Sequence, residues 1–490
     1  MTNKIRGRMA PSPTGYLHIG NLRTALFGYL MIKSMDGDFV LRIEDTDDKR
    51  FVPGALESLI NIFEWTGIIF DESPLKSGPF APYTQSERID IYKKYSDELL
   101  LKGGAYRCFC SAERLDSMRA EQQKNKMAPR YDGLCRNLSQ EEIAKKLEEK
   151  KPFVIRQKMP QEGVVECFDE LRGKISVAAK ELDDHVLIKS SGIPTYQFAS
   201  VVDDHLMEIS HVSRSEEWIP SFPKNVLLYR SFGWTEPKFV HLPVVLNKEG
   251  GGKLSKRQGD VSVEEFRAKG YLSEAIINFI ALLGWHPEGD NEILGMEELI
   301  KQFNYKKISV SPAVFDIEKL NYFNGYYIRQ LSVERLIELS LPFLKENLEI
   351  TANPRKKTAE FIRSAVLIEQ ERLKRLCDIG EFTKFLFTDK LDYPKEMLVW
   401  KKQEASECKK NLSAIKELWN KLDEKEWTKE KIESITIEYL NQNSCKTGDY
   451  LWPARVALTG KEKSPSPFDV ANVLGKQESI ERLDNAINLL

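Results

Sequence analysis

Arg6-Gly7-Arg8-Met9-Ala10-Pro11-Ser12-Pro13-Thr14-Gly15-Tyr16-Leu17-His18-Ile19-Gly20-Asn21-Leu22 is the stretch on which the reading of the chain turns. Residues 6–9 suit a short strand. Two prolines and Gly15 then forbid regular structure until about Gly20. Beyond it Leu22, Ala25, Leu26, Tyr29 and Leu30 recur at i, i+3, i+4, i+7 and i+8, which predicts an amphipathic helix. Asp36-Gly37-Asp38 turns the chain, and residues 39–43 make the next strand. The product is a β–loop–α–β unit whose loop opens a helix N-terminus, where oriented backbone N–H groups favour anions.

Working outward, Thr84-Gln85-Ser86-Glu87 reads as a capping box opening a helix with Ile89, Tyr92, Tyr95 and Leu99 on one face, ended by Gly103-Gly104. The order supports an α/β, nucleotide-type fold for the first hundred residues. From Tyr106 to about Gly192 the character changes. A Lys/Glu-rich helix over 141–151 and a strand over 153–157 point to an inserted α+β domain. Residues 195–203 and 208–212 resume strand-like patterning, a return to the first sheet. From about Asp260 onward the pattern turns helical and stays so, through Leu336, Leu339 and Phe343, then Ile362, Ala365 and Val366, then Leu412, Ile415, Leu418, Trp419 and Leu422. There is no fixed-period repeat.

Composition narrows the function classes. The chain has 490 residues, too many for one domain, with 72 Lys plus Arg against 74 Asp plus Glu and a net charge of −2. With 41% hydrophobic residues it buries several cores. The longest apolar stretch, 275–285, is broken by Asn278 and Gly284 and is too short for a bilayer. No apolar run follows the first residues, so no signal peptide is expected. Seven Cys in so long a chain suggest no disulfide framework, and the expected compartment is a reducing cytoplasm. A neutral balance also means that any nucleic-acid partner is held by local patches.

Two further motifs complete the picture. The segment from Pro13 to Asn21 puts His18 at a helix mouth. Gly250-Gly251-Gly252-Lys253-Leu254-Ser255-Lys256-Arg257 puts a glycine run before two lysines three apart, suited to a mobile clamp on a polyphosphate. Together they resemble the HIGH and KMSKS signatures of class I aminoacyl-tRNA synthetases. The likeness is closer still to the bacterial glutamyl-tRNA synthetase family, in the strings Ala10–Gly15, Arg42-Ile43-Glu44-Asp45-Thr46-Asp47, Val201-Val202-Asp203-Asp204-His205 and Glu216-Glu217-Trp218. It extends to 314–320 and 454–460, nearly end to end. Asn21 stands in the fourth HIGH position, and KMSKS appears as Lys-Leu-Ser-Lys-Arg.

The resemblance implies a Rossmann-type catalytic domain in two halves, 1–105 and 193–257, the second carrying the lysine loop. It further implies an inserted domain at 106–192 for the tRNA acceptor end, a helical stem-contact domain at 258–330 and an all-helical anticodon-binding domain of two sub-bundles at 331–490. The implied reaction joins glutamate to the α-phosphorus of ATP with release of pyrophosphate, then transfers glutamate to the 3′ end of tRNA(Glu). Mg²⁺ assists, and the enzyme is a cytoplasmic monomer without membrane contact. His18 and Gly20 would contact ATP, and Lys253 and Lys256 would counter charge as pyrophosphate leaves. Glutamate carries an ammonium and two carboxylates, so its pocket needs an acid and at least one Arg. The family positions supply Arg8, Ala10, Ser12, Glu44, Tyr196 and Arg214, with Arg8 and Arg214 facing carboxylate and Glu44 facing the ammonium. The rival for Glu44 and Asp45 is a strand-end salt bridge to Arg42 or Lys49. Trp218 either walls the nucleotide or is a buried helix-start tryptophan.

Cys108-Phe109-Cys110 and the later Cys135 read as zinc ligands in a reducing compartment. A tetrahedral site needs a fourth ligand. The family implies Tyr131, while Cys167 and water remain rivals. For RNA, Lys306-Lys307 and Arg355-Lys356-Lys357 are local basic clusters that suit phosphates, and Arg372 matches the family position that helps distinguish the third anticodon base. Two other readings stay open: a non-discriminating synthetase that also charges tRNA(Gln), and a catalytically inactive tRNA-binding paralogue. The helical tail speaks against the glutaminyl relative, whose common form ends in a β-barrel.

Overall fold

The computed structural model describes residues 4–47, 52–248, 252, 254, 262–401 and 403–490. They fall into two compact units, 1–266 with 276–317, and 267–275 with 318–490.

The first unit is built on the motif quoted above. Strand β1 (Arg6–Met9) leads through the Pro/Gly loop into α1 (Ile19–Lys33) and then β2 (Asp38–Leu41), which lies parallel to β1 with Gly7 opposite Phe39. A parallel pair needs such a crossover. The helix is pressed hard on the sheet: a Cβ on Gly28 would meet Ser213 Oγ at 2.7 Å, and one on Gly7 would sit 2.7 Å from Ile32 Cδ1. Contrary to the amphipathic expectation, α1 is buried on nearly every side, from Leu22 and Arg23 to Ile32. The sheet covers one face, and the helix Met296–Gln302 packs against another.

After α2 (Ala55–Thr66) the expected capping box does not form. Gln85–Arg88 is a 3-10 turn whose Thr84 makes no side-chain cap, and α3 (Ile89–Leu101) follows it. The competing pull is tertiary. Asp203 takes the Gln85 amide at 2.9 Å and Arg88 Nε at 2.7 Å, while Asp45 takes the Ser86 hydroxyl at 2.6 Å.

Next come β3 (Ala105–Cys108), α4 (Ala112–Lys124), α5 (Gln140–Glu148), β4 (Val154–Gln157), β5 (Val164–Asp169), β6 (Gly173–Ala178) and β7 (Val186–Ile188). Strands β3, β4 and β7 form their own antiparallel sheet. The hairpin β5–β6 instead joins the main sheet, whose order is β2-β1-β8-β9-β5-β6, with β8 (His211–Ser215) and β9 (Lys238–Leu242) at its middle. All its pairings are parallel except β5–β6. Residues 195–203, expected as a strand, form helix α6 (Tyr196–Leu206). Phe198, Ala199, Val201 and Val202 are all buried, and a short apolar run buried on all sides reads alike as strand or helix. Helix α7 (Phe222–Phe232) covers the same core.

The second unit is helical, as the periodicity indicates. Ala405–Asn420, Thr447–Thr459 and Lys476–Leu489 pack on one another. Trp419 is fully buried, with its indole N–H donated to Thr436 Oγ1 at 2.9 Å. In the first unit, one strand interrupts the stretch expected to be wholly helical: β11 (Ala313–Phe315), parallel to β10 (Val245–Asn247). Among the described residues no helix is long and apolar enough to cross a membrane.

Candidate active site

His18 is the N-cap of α1. Its Nδ1 accepts the Gly20 backbone N–H at 3.0 Å, so the neutral ring carries its proton on Nε2, a donor of the kind a phosphate oxygen takes. His18, Gly20, Asn21, Arg23 and Thr24 line a cleft of about 370 Å³, closed on its other side by Ser215, Glu217, residues 243–245 and Leu254. Arg23 serves the structure through two of its nitrogens, while its Nη2 is buried without a hydrogen-bond partner. Its Nε goes to the Leu283 carbonyl at 2.7 Å and its Nη1 to the Pro243 carbonyl at 2.6 Å, and burial lowers it to about 10. Lys253 and Lys256 lie outside the described residues. Gly252 and Leu254, which flank Lys253 in sequence, are pinned here: Asn247 N–H donates to the Gly252 carbonyl and Leu254 N–H to that of Val245.

The expected glutamate residues gather where β1, α6 and β8 meet. Arg8, Glu44, Arg214 and Asp204 are all buried and close enough to Tyr196 to act on its hydroxyl. Arg8 Nε donates to Asp204 at 3.0 Å, and although burial opposes its charge, Asp204 holds Arg8 above its ordinary value. Burial pushes Glu44 up to about 7, against the pull of Arg42 and Arg8. Glu44 Oε1 takes Arg42 Nη2 at 3.1 Å, so the strand-end salt bridge does exist, but Oε2 is buried with no hydrogen-bond partner. The Glu44 backbone N–H donates to the Pro11 carbonyl at 3.0 Å, which keeps Ala10 and Ser12 beside it. Burial depresses Arg214, whose Nη2 is likewise buried without a hydrogen bond. Trp218 is 38% exposed, not a buried helix-start residue, with its ring 4.6 Å from that of Tyr196.

Charges the sequence reading had passed over hold this arrangement. Asp204 also receives Arg42 Nη1 at 2.8 Å, and Asp203 ties Arg88, Gln85 and Tyr92 together. The signal was two adjacent acids ending the apolar run 198–202. Side chains buried with their charge must be paired.

The cysteine cluster is assembled. The sulfurs of Cys108, Cys110 and Cys135 lie within 4.8 Å of one another, with Cys110 and Cys135 3.6 Å apart. The Tyr131 hydroxyl stands 3.3 Å from Cys108 Sγ and 3.4 Å from Cys110 Sγ. Tetrahedral zinc with bonds of roughly 2.0–2.3 Å separates its ligands by about 3.5–3.8 Å, so these four atoms fit the ion. Cys167 belongs to another core, on β5.

In the second unit Arg372 closes a 3-10 turn, bonded to Glu369 at 2.5 Å and to the Lys463 carbonyl at 3.1 Å, and lies over Phe382. The basic cluster 355–357 turns largely inward. Lys356 is buried against Glu478 at 2.8 Å, and Arg355 caps the Leu474 carbonyl at 2.6 Å, so these two are structural and not free for phosphate. In the first unit Lys307 is exposed and paired with Glu288.

The family model for the catalytic domain of class I tRNA synthetases (E and Q) matches residues 4–322, and one for an anticodon-binding domain matches 335–487. A glutamate–tRNA ligase of Clostridium botulinum is 48% identical over 492 residues, covering 100% of this chain and 99% of the relative. One of Clostridium tetani is 44% identical, covering 100% and 98%. The solved glutamate–tRNA ligase of Elizabethkingia meningosepticum, in complex with its amino acid, superposes with a TM-score of 0.89 at 38% identity over 99% of both chains.

Proposed function

The chain belongs to the class I tRNA synthetases for glutamate and glutamine, and from that premise we propose that it ligates glutamate to tRNA(Glu). The observation that carries this reading is full-length identity of 44–48% to glutamate–tRNA ligases, tail included. In the first step the glutamate α-carboxylate attacks the α-phosphorus of Mg²⁺-bound ATP, giving glutamyl-adenylate and pyrophosphate. In the second the terminal adenosine of the tRNA takes the glutamyl group and releases AMP. His18 Nε2–H and the Gly20 end of α1 meet the nucleotide, and Lys253 and Lys256 neutralise the departing pyrophosphate. Arg8 and Arg214, with Tyr196, take carboxylate; Glu44, beside Ala10 and Ser12, takes the ammonium. An amide would set N–H donors against Arg donors, which is how glutamine is refused. Trp218 walls the nucleotide. The helical tail reads the anticodon through Arg372, and the enzyme works as a cytoplasmic monomer.

Charging of separate tRNA(Glu) and tRNA(Gln) transcripts with labelled glutamate tests this reading. ATP-dependent charging of the first alone is expected. Charging of both makes the enzyme non-discriminating, and charging of neither by folded protein removes the ligase reading.

Zinc held by Cys108, Cys110, Tyr131 and Cys135 would crosslink the loop between β3 and α4 to the segment after α4. Purified protein is expected to carry about one zinc per chain, and Cys110→Ser to carry almost none. Metal analysis that finds equal zinc in both rejects the ligand set.

A further inference from the structure

Arg214 is held from behind by a chain of hydrogen bonds that crosses three strands. Its Nε donates to His241 Nε2 at 3.1 Å, and His241 Nδ1 stands 2.8 Å from Asp169 Oδ2. The three residues sit on the neighbouring strands β8, β9 and β5, Arg214 directly opposite His241 in the parallel register. Asp169 and His241 are completely buried. Asp169 faces donors on all sides: Oδ1 accepts the N–H groups of Leu171 and Arg172, and Oδ2 also accepts that of His241. It is therefore an ionised acceptor, and the proton between it and the imidazole belongs to His241 Nδ1. That leaves His241 Nε2 with a lone pair, which accepts from Arg214. A second ring proton would set N–H against N–H, and burial keeps the ring below its ordinary pKa, hence neutral.

The guanidinium is thereby oriented from its inner side. With the Asn225 amide turned to satisfy both its partners, its oxygen accepts Arg214 Nη1 at 3.2 Å, and Phe222 packs against the His241 ring at 4.8 Å. Arg214 Nη2 alone is left buried and unbonded. Orienting an arginine before substrate arrives spares the ordering cost at binding.

We propose that His241, with its tautomer set by Asp169, is a positioning residue that aims Arg214 at the substrate carboxylate and so sets the affinity for glutamate. The proposal rests on the glutamate reading above. The two are tested together by glutamate-dependent ATP–pyrophosphate exchange with tRNA(Glu) present, on the full chain and on His241→Leu and His241→Gln. Leucine removes the acceptor, while the glutamine side-chain oxygen restores one. The KM for glutamate is expected to rise about 10- to 100-fold in His241→Leu and clearly less in His241→Gln, with kcat and the KM for ATP within about threefold. A purely structural role would move all three constants alike. If wild type exchanges and His241→Leu keeps its glutamate KM within about twofold, the positioning role falls. If wild type shows no glutamate-dependent exchange, the glutamate reading itself falls. Should His241→Leu fail to fold, ¹⁵N-histidine spectra of the unaltered chain decide, with His241→Gln identifying the signals. The Nδ1–H tautomer is expected at neutral pH, and an Nε2–H tautomer or an imidazolium overturns the proposal.

Discussion

Lys256→Ala is expected to slow glutamyl-adenylate formation by about 100- to 1,000-fold while moving the KM for glutamate only a few-fold. The argument is one of charge supply. A bound triphosphate brings several negative charges into a cleft where, among the described lining residues, Arg23 is the one cation and Glu217 adds an acid. Two of the Arg23 nitrogens already serve the Leu283 and Pro243 carbonyls. His18 offers a neutral N–H, which orients a phosphate without balancing it. Mg²⁺ brings part of the missing charge, and the segment around Leu254, a residue that itself lines the cleft, is expected to supply more. Lys253 and Lys256 are the cations nearest Leu254 in the sequence. A lysine needed mainly as charge builds up on the leaving pyrophosphate contributes to the rate and little to glutamate affinity. Single-turnover adenylate formation measured beside glutamate titration separates the two, and equal rates in Lys256→Ala and wild type would remove Lys256 from the mechanism.

What the sequence made legible and what it hid divide along the range of the interactions. The β1–loop–α1–β2 unit was readable because proline and glycine act on their own neighbourhood, and the cysteine cluster because thiol spacing survives without knowledge of the fold. Helix α6 reads as a strand because its short apolar run, buried on all sides, has no period that separates the two, and the two acids that follow it have partners far off. Asp203 meets Gln85 and Asp204 meets Arg8, more than a hundred residues away in each case. The same distance explains the lost capping box, since Gln85 and Arg88 answer to Asp203. Arg8, Glu44 and Arg214 could be named by likeness to a family. That Glu44 Oε2 and Arg214 Nη2 are each left buried and unbonded could not, because it depends on where the chain places every group around them. His241 stands in a short, largely apolar strand and carries no motif of its own. Only the sheet order that puts β5 beside β9 turns it into a link between Asp169 and Arg214.

Substitution of Glu44 is expected to have the largest effect on glutamate recognition, with a pH signature by which to know it. Its carboxyl is buried and raised to about 7, first by loss of solvent, then by the nearby Asp204 charge, with Arg42 and Arg8 opposing. Below that value the folded enzyme holds Glu44 protonated, and a neutral acid cannot neutralise the substrate ammonium. As pH rises through 7 the carboxylate appears, so kcat/KM for glutamate is expected to climb about tenfold per pH unit below 7 and to level off above it. Glu44→Gln keeps the shape and the bond to Arg42 but leaves the ammonium unpaired in a dry pocket. That change is expected to lower kcat/KM for glutamate by about 100-fold or more at pH 8, and to flatten the slope between pH 5.5 and 7. A slope that persists in the variant would assign the titration to another group, and an unchanged kcat/KM would take Glu44 off the ammonium. The feature proposed to suit Glu44 to an ammonium is the same one that raises its pKa: an acid kept dry, with Oε2 buried and without a hydrogen-bond partner.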